Sequence, residues 1–317
     1  MNMRPFGMRF GAMLLALSVI AAAPAPKIEM FATPDAGVSA LVAALQADDH
    51  DKLKAMFGAK GFASLVSGDP VADSSERDEF LAAYQTKHDV KVEGDTATLV
   101  VGADDWPMPI PLIKSATGWS FDVAAGVEEV LDRRVGANEL FTQEALLAYS
   151  DAQQEYSHSF HDGLKIHVYA QKFLSSPGKQ DGLYWPTEDA QPLSPLGEPV
   201  AEASYAGYSG KSGSAQPFHG YYYKILTAQG PHAPGGAYDY KAKNLMLGGY
   251  AAVAWPANWG HTGVMTFLIN QDGEIYQKNL GSKSAELGKA MTGFDPDASW
   301  TKLGVPAPSP GALPEGE

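Results

Sequence analysis

The sequence predicts an α+β protein, in which N-terminal helices and an antiparallel meander precede a long helix packed on a second antiparallel sheet. Three observations support this class. Apolar residues recur at helical spacing through residues 34–90, and strand-sized runs separated by turn residues follow as far as residue 123. A dense aromatic and β-branched region then spans Gln216 to Gly281. Helix and strand patterns that occupy separate parts of a chain are typical of α+β proteins.

The N-terminal helical region opens with a start signal at Thr33 and Pro34. A threonine suits the N-cap position and a proline suits the first helical position. A second helix and a short third helix are predicted between residues 49 and 66, and Ser74 or Ser75 is expected to cap a fourth. The first helix carries its apolar side chains on one face, at Val38, Leu41, Val42 and Leu45.

The meander that follows is predicted from short apolar runs separated by turn residues such as Gly94-Asp95 and Thr117-Gly118. Runs of this length and composition favour strands. The predicted strands are Val90–Val92, Thr96–Val101, Met108–Lys114 and Trp119–Val123.

Helices return after the meander. A short helix is predicted over Val127–Arg134, and Asn138 is expected to cap a separate long helix. Tyr169–Leu174 is predicted to resume helical character before a Ser-Pro-Gly stop. The long helix repeats its apolar positions every three to four residues, as packing on a sheet requires: Phe141, Ala145, Tyr149, Ala152 and Tyr156.

The C-terminal sheet is predicted from four strands: Tyr221–Thr227, Leu245–Trp255, Gly263–Asn270 and Ile275–Lys278. The last two flank an Asp272-Gly273 pair, the dipeptide that a tight type I′ hairpin turn favours because both of its central residues have positive φ. We therefore expect a curved antiparallel sheet whose aromatic side chains mostly fill its own core.

Composition excludes several classes of protein. The chain has 317 residues, no cysteine and a formal net charge of −14. The acidic balance argues against nucleic-acid binding, which needs a basic patch. The absence of cysteine excludes disulfides, thiol catalysis and cysteine-ligated metals. Residues 1–25 have the form of a secretory signal peptide, with Arg4 and Arg9 before an apolar core. No other segment is expected to cross a membrane.

The best candidate for a ligand-binding groove lies near one edge of the C-terminal sheet. Its residues are aromatic or imidazole side chains that could stack on a ligand, although core packing also explains most of the aromatic ones. They are His219, Tyr221, Trp255, Trp259 and His261. In the N-terminal half, Asp104, Asp105 and Trp106 are interpreted as part of a solvated loop, and the alternative is that they line a pocket.

Catalytic and metal sites have weaker sequence support. His158 and His161 would share a face on a helix and could bind a metal, with Asp162 as a further oxygen ligand. A hydrolase with paired carboxylates also stays open, because the sequence offers many acidic residues without showing which two would face each other. The G-x-S-x-G, G-x-G-x-x-G and Walker patterns are absent, and no catalytic residue or cofactor is predicted.

A series of landmarks runs along the chain after residue 25. The landmarks are Arg133–Leu140, Ala148–Tyr156, Tyr169–Phe173, Ser176–Pro186, Ser194–Gly197, His219–Tyr222, Ile225–Gly230, Gly263–Phe267 and Phe294–Asp297. Their order resembles the DUF2950 family of exported bacterial proteins, and the resemblance covers almost the whole chain after residue 25. The family has no established activity, so the resemblance assigns no catalytic residue.

Two further resemblances concern shape. The helices and meander of residues 30–133 resemble the NTF2-like (cone-shaped α+β) domain, a fold that often encloses a pocket. The helix and sheet of residues 137–303 resemble the globular part of type IV pilin and pseudopilin-like proteins. We predict these two domains, a signal peptide at residues 1–25 and a disordered tail at residues 304–317.

The function expected from these patterns is that of an exported, soluble, non-enzymatic protein of the cell envelope. Its partner would be an envelope protein or a small ligand, and its location the periplasm or the medium. The alternatives are a hydrolase of a cell-envelope polymer that acts through paired carboxylates, and metal binding through His158 and His161.

Overall fold

The structure is a computed structural model that describes residues 28–67, 70–186, 193–196 and 217–304. The expected signal peptide at residues 1–25 lies outside the described residues, and so does the expected disordered tail from residue 305 onward. Within the described ranges, no helix combines the length and the apolarity that crossing a bilayer requires.

Three helices open the chain: α1 (Pro34–Gln46), α2 (His50–Leu65) and α3 (Pro70–Thr86). The predicted start of α1 is confirmed, since the Thr33 hydroxyl accepts a hydrogen bond from the Ala36 N–H at 3.2 Å.

The other helical boundaries differ in part from the sequence prediction. The predicted second and third helices form the single element α2, which is kinked at Gly58 (φ 73°). The predicted start of the next helix at Ser74 or Ser75 is wrong, because α3 begins at Pro70. Proline suits the first turn of a helix, where no N–H donor is needed.

The N-terminal sheet is antiparallel and has the strand order β1-β2-β4-β5, with β3 paired to β2. Pro109 and Pro111 interrupt the predicted strand Met108–Lys114, because proline has no N–H for the strand ladder. The strand predicted to reach Val123 ends at Phe121, since Asp122 caps the following helix by accepting from the Ala125 N–H. The strands are β1 (His88–Glu93), β2 (Thr96–Val101), β3 (Trp106–Pro107), β4 (Leu112–Ser115) and β5 (Gly118–Phe121).

The longest element is α4 (Val123–Ser157), a helix of 35 residues. The predicted break between Arg134 and Asn138 is therefore wrong. The intervening Val-Gly-Ala includes no strong helix breaker, and a glycine inside a helix costs only about 1 kcal/mol. Asn138 is not a cap but a buried side chain, whose amide donates to the Thr262 carbonyl at 2.9 Å.

The segment after α4 also departs from prediction. Tyr169–Leu174 is not helical, because its backbone pairs with distant chain segments: Tyr169 bridges to Met246, and Leu174 bridges to Tyr184. These partners are 77 and 10 residues away along the chain, and such long-range pairing overrides the local preference.

The main C-terminal sheet is antiparallel and has the strand order β15-β13-β12-β11-β6. Its principal strands are predicted well, except that Leu245–Trp255 divides at Gly248-Gly249 into β10 and β11. The C-terminal elements are β6 (Tyr221–Leu226), β7 (Ala228–Gln229), β8 (Tyr238–Asp239), β9 (Lys241–Ala242), β10 (Leu245–Met246), β11 (Ala251–Pro256), β12 (Met265–Asn270), β13 (Ile275–Asn279), α5 (Ser284–Ala290), β14 (Gly293–Phe294) and β15 (Thr301–Lys302).

The hairpin between β12 and β13 is confirmed, but its turn is not of type I′. The Gly273 N–H donates to the Asn270 carbonyl at 3.0 Å, and Gly273 has φ 71° whereas Asp272 does not have positive φ. The last paired residues are Ile269 and Ile275. The loop is therefore a longer one, in which only the glycine adopts the left-handed conformation.

Buried apolar residues form two clusters, which divide along the chain. One is built from α1, α2 and the N-terminal sheet and includes Met56 and Leu112. The other is built from the second half of α4 and the C-terminal sheet and includes Tyr149 and Phe267. Helix α4 reaches both halves. The assignment of these halves to NTF2-like and pilin-like domains stays a prediction.

Candidate functional site

A cavity of about 520 Å³ opens in the N-terminal half, between the three helices, the segment after β3 and the first half of α4. Its walls are mostly aliphatic and aromatic side chains. They include Leu41, Leu53, Phe57, Phe62, Phe80 and Ile110.

A second cavity of about 530 Å³ adjoins the first and is bounded by α3, the end of β2 and α4. The two cavities have a common wall, so a group placed there faces both. The residues of this shared wall are Glu76, Phe80, Trp106, Pro109, Val130 and Arg134.

The helical periodicity of α4 brings three of its residues to the cavities. Val130, Arg134 and Ala137 follow each other at intervals of four and three, so they share one helix face. The close approach of α4 to the segment before β4 depends on Gly126. A Cβ at this position would lie 2.5 Å from the Pro109 carbonyl oxygen, so only glycine allows the segment to reach the cavity wall.

Arg134 is the most unusual polar side chain of this site. It is only 5% exposed, and one terminal nitrogen, Nη2, donates to the carbonyl of Leu65. Its Nε and Nη1 atoms are buried and make no hydrogen bond. Among the described residues, no carboxylate forms an ion pair with it. A buried charge with free donors is costly unless another group pairs with it.

Two other charged side chains at the first cavity, Arg77 and Asp73, already have hydrogen-bond partners. Arg77 donates to Asp48 at 2.6 Å and to the Ser74 hydroxyl at 2.9 Å. Asp73 accepts from the Ser67 N–H at 3.1 Å. These groups are paired with one another, so within the described ranges Arg134 has no protein counter-charge.

Trp106 forms the outer part of the shared wall. It is 41% exposed, and the Arg133 guanidinium lies over its ring, with Cζ 4.7 Å from the ring centroid. Arg133 also pairs with Glu129 at 2.6 Å. The two consecutive arginines therefore differ: Arg133 is paired and partly exposed, whereas Arg134 is buried and largely unpartnered.

Of the three residues for which pocket lining is the alternative to a solvated loop, Asp104 and Trp106 lie at the second cavity. Asp105 is held by an exposed ion pair with Lys87 at 2.9 Å. A hydrogen bond from Lys87 lowers the pKa of Asp105. Asp105 is therefore ionised and held at the surface.

The five residues of the predicted sheet-edge groove lie around the end where β6 and β11 meet. Tyr221 is fully buried and donates its hydroxyl to the Met265 carbonyl at 3.0 Å. Trp255 is also buried, and its indole N–H has no partner. Trp259 is 39% exposed and donates to the Asn279 side chain at 3.0 Å.

The two histidines of this group occupy the adjoining loops. The His219 ring stacks on Phe141, with centroids 3.6 Å apart. The exposed His261 donates its backbone N–H to the Asn258 carbonyl at 3.0 Å. The side chains of Tyr221 and Trp255 thus face the core while Trp259 and His261 face outward, and the ligand groove at this edge stays a prediction.

The structure does not give His158 and His161 the shared helix face that metal binding was expected to use, because α4 ends at Ser157. His161 is buried, with its ring stacked 3.6 Å from that of Tyr156 and its Nε2 2.8 Å from the Tyr156 carbonyl oxygen. Within the described part of the chain, no three histidine or acidic residues come together as a metal would require.

The acidic residues give a hydrolase little support. Four carboxyl groups have pKa values below the ordinary range, because hydrogen bonds from lysine or serine stabilise their charged form. They belong to Asp105, Asp181, Glu274 and Asp297. A general acid needs the opposite displacement, so none of these four fits that role.

Fold and site define an α+β protein with an apolar double cavity and a buried arginine in its N-terminal half. The chain belongs to DUF2950, a family described as "Protein of unknown function", whose sequence model matches residues 28–303. Neither a curated protein nor a solved structure matches the chain. The predicted family membership is therefore confirmed.

Sequence reasoning missed Arg134. The available signal was its spacing from Val130 and Ala137 on one helix face, but the predicted helix boundary at Arg134 hid that spacing. The cavity walls come from distant parts of the chain, which no local pattern connects.

Proposed function

We propose that this protein is an exported, non-enzymatic binding protein that holds a small, largely apolar ligand in its N-terminal cavity. The observation that carries the proposal is the cavity of about 520 Å³ with aliphatic and aromatic walls. Small-molecule sites are typically concave, mostly apolar and about 300–1,000 Å³ in volume. The size and the apolar walls of this cavity therefore support the proposal.

The proposed location rests on the sequence of residues 1–25, whose basic, apolar and small-residue segments follow each other as in a secretory signal. We therefore place the protein in the periplasm or the medium, where it would encounter apolar molecules of the envelope.

The character of the walls favours holding a ligand over reacting with it. Phe57, Phe62 and Phe80 offer no proton donor or nucleophile, and the Arg77–Asp48 pair is occupied by its own hydrogen bonds. Burial of an apolar ligand is worth roughly 25 cal/mol per Å² of apolar surface removed from water.

The test uses a neutral fluorescent probe, N-phenyl-1-naphthylamine, whose emission rises in an apolar environment. Val130 lies on the shared wall of the two cavities, and Val130→Trp would fill part of that space. Val92→Trp makes the same change at an exposed position of β1 and is the matched control.

We expect the native protein and V92W to bind the probe with equal affinity, and V130W to bind it at least about tenfold more weakly. Circular dichroism shows that each variant is folded. Equal probe affinity in a folded V130W would place the probe elsewhere. Absence of binding to the native protein, for the probe and for a panel of alkyl ligands, would refute the proposed function.

A further inference from the structure

Arg134 points to the chemical class of the ligand. Its guanidinium carries five N–H donors, and among the described residues one of them, on Nη2, is engaged by the Leu65 carbonyl. The donors on Nε and Nη1 are buried without a partner, and they belong to a residue that lines both cavities.

From this arrangement we infer that the cavity receives an amphipathic monocarboxylate, with its chain against the apolar walls and its carboxylate on Arg134. This inference rests on the proposed function. A carboxylate supplies both the negative charge and the acceptor oxygens that the free donors lack, and charge-assisted hydrogen bonds are about twice as strong as neutral ones.

The surrounding charges distinguish Arg134 from the other cations near the site. Arg77 is matched by Asp48 at 2.6 Å, and Arg133 by Glu129 at 2.6 Å. Of these three arginines, Arg134 alone has no carboxylate partner among the residues that the structure describes.

Acidic residues in the cavity walls also limit how many negative charges the polar head group of the ligand can carry. Glu76 lies on the shared wall and Asp73 lines the first cavity. Both carboxylates add negative charge to the walls of the space that the ligand would occupy. A head with one negative charge is therefore favoured over a dianion such as a phosphate monoester, because like charges nearby are repelled.

The experiment compares matched alkyl ligands: decanoate, 1-decanol and decylamine, each measured by displacement of the neutral probe from the full chain at pH 7. We expect decanoate to bind about 10- to 100-fold more tightly than the alcohol, which has the same chain without the charge. The amine is expected to bind most weakly, because its cation would face Arg134.

Arg134→Met removes the donors and the charge while keeping an unbranched side chain in the helix. We expect R134M to reduce decanoate affinity by about 10-fold or more and to leave 1-decanol affinity unchanged, which also shows that the cavity is intact. Arg134→Lys keeps the charge with a different geometry and should retain part of the preference for the carboxylate. Lys91→Met removes a positive charge at an exposed position of β1 that lines neither cavity, so it is the control and should keep the native preference.

Several outcomes would overturn the inference. Equal affinity of the native protein for decanoate and 1-decanol would mean that the free donors do not recognise a carboxylate. An equal loss in K91M and R134M would assign the preference to general charge. If R134M fails to fold, an undiminished preference in R134K for decanoate over 1-decanol would contradict a geometric role for the guanidinium. If 1-decanol binds and decanoate binds no more tightly, the proposed function stands. Only the inference that the ligand is a carboxylate is then refuted.

Discussion

Gln153 joins helix α4 to the irregular segment that follows it through hydrogen bonds. We expect its truncation to cause one of the largest losses of stability for a single substitution in the C-terminal half. Its side-chain oxygen accepts from the Ala170 N–H at 2.8 Å, and its Nε2 donates to the Ala170 carbonyl at 2.8 Å. The same nitrogen lies 3.2 Å from the Tyr149 hydroxyl. Gln153 is fully buried, and Ala170 is 1% exposed.

The cost of Gln153→Ala follows from these contacts. Two buried backbone groups of Ala170 would lose their partner, at about 1–3 kcal/mol each. A water molecule entering the polar space would recover part of this loss, so we expect the free energy of unfolding to fall by about 3 kcal/mol. For a folded unit of 150–250 residues this corresponds to a decrease in melting temperature of about 6–12 °C.

The assay is urea unfolding at pH 7 together with a thermal melt, and Gln154→Ala is the matched control. Gln154 is the next residue on α4 and has the same side chain, but it is exposed, and its Nε2 makes a long contact of 3.4 Å to the Tyr250 hydroxyl. We expect less than about 0.5 kcal/mol for Q154A. The reasoning is refuted if Q153A loses no more free energy of unfolding than Q154A.

Two further predictions concern pH. Hydrogen bonds from Lys172 and Ser176 lower the pKa of Asp181 from 3.8 to about 2, so its contribution to stability is present above pH 4 and is lost as the pH falls toward 2. We expect Asp181→Asn to lower the free energy of unfolding by about 1 kcal/mol at pH 7, after allowance for solvent screening; a difference from the native protein that persists at pH 2 would contradict this. Burial raises the pKa values of the Tyr149, Tyr221 and Tyr223 phenols above 10.0, so the unfolded state ionises first and stability falls as the pH rises above 10. Absorbance at 295 nm should show these phenolates appearing only with unfolding; their ionisation in the folded protein would refute the assignment.

Much of the fold could be predicted because its signals are local. Thr33 and Pro34 specify the start of α1 through one hydrogen bond and one fixed φ angle, which need no distant partner. The strands β2, β6 and β12 are predicted nearly to the residue, since apolar β-branched and aromatic runs between turn residues have few alternatives.

The errors occur where distant residues compete with local preference. Asn138 looks like a cap from its sequence neighbours, yet its amide donates to Thr262 and the helix continues past it. Tyr169–Leu174 has helical spacing, yet Met246 and Tyr184 pair with its backbone. Hydrogen bonds to residues outside the local segment decide both cases, and a short stretch of sequence does not predict them.

By itself, the sequence determined the α+β class, the family and most of the strands, since periodicity, turn residues and motif order depend only on the order of residues. The tertiary structure alone decided the candidate site. Phe57, Ile110 and Arg134 lie far apart in sequence and share a cavity only because α4 packs against α2 and against the segment between β3 and β4. The burial of Arg134 likewise depends on which face of one continuous helix turns inward.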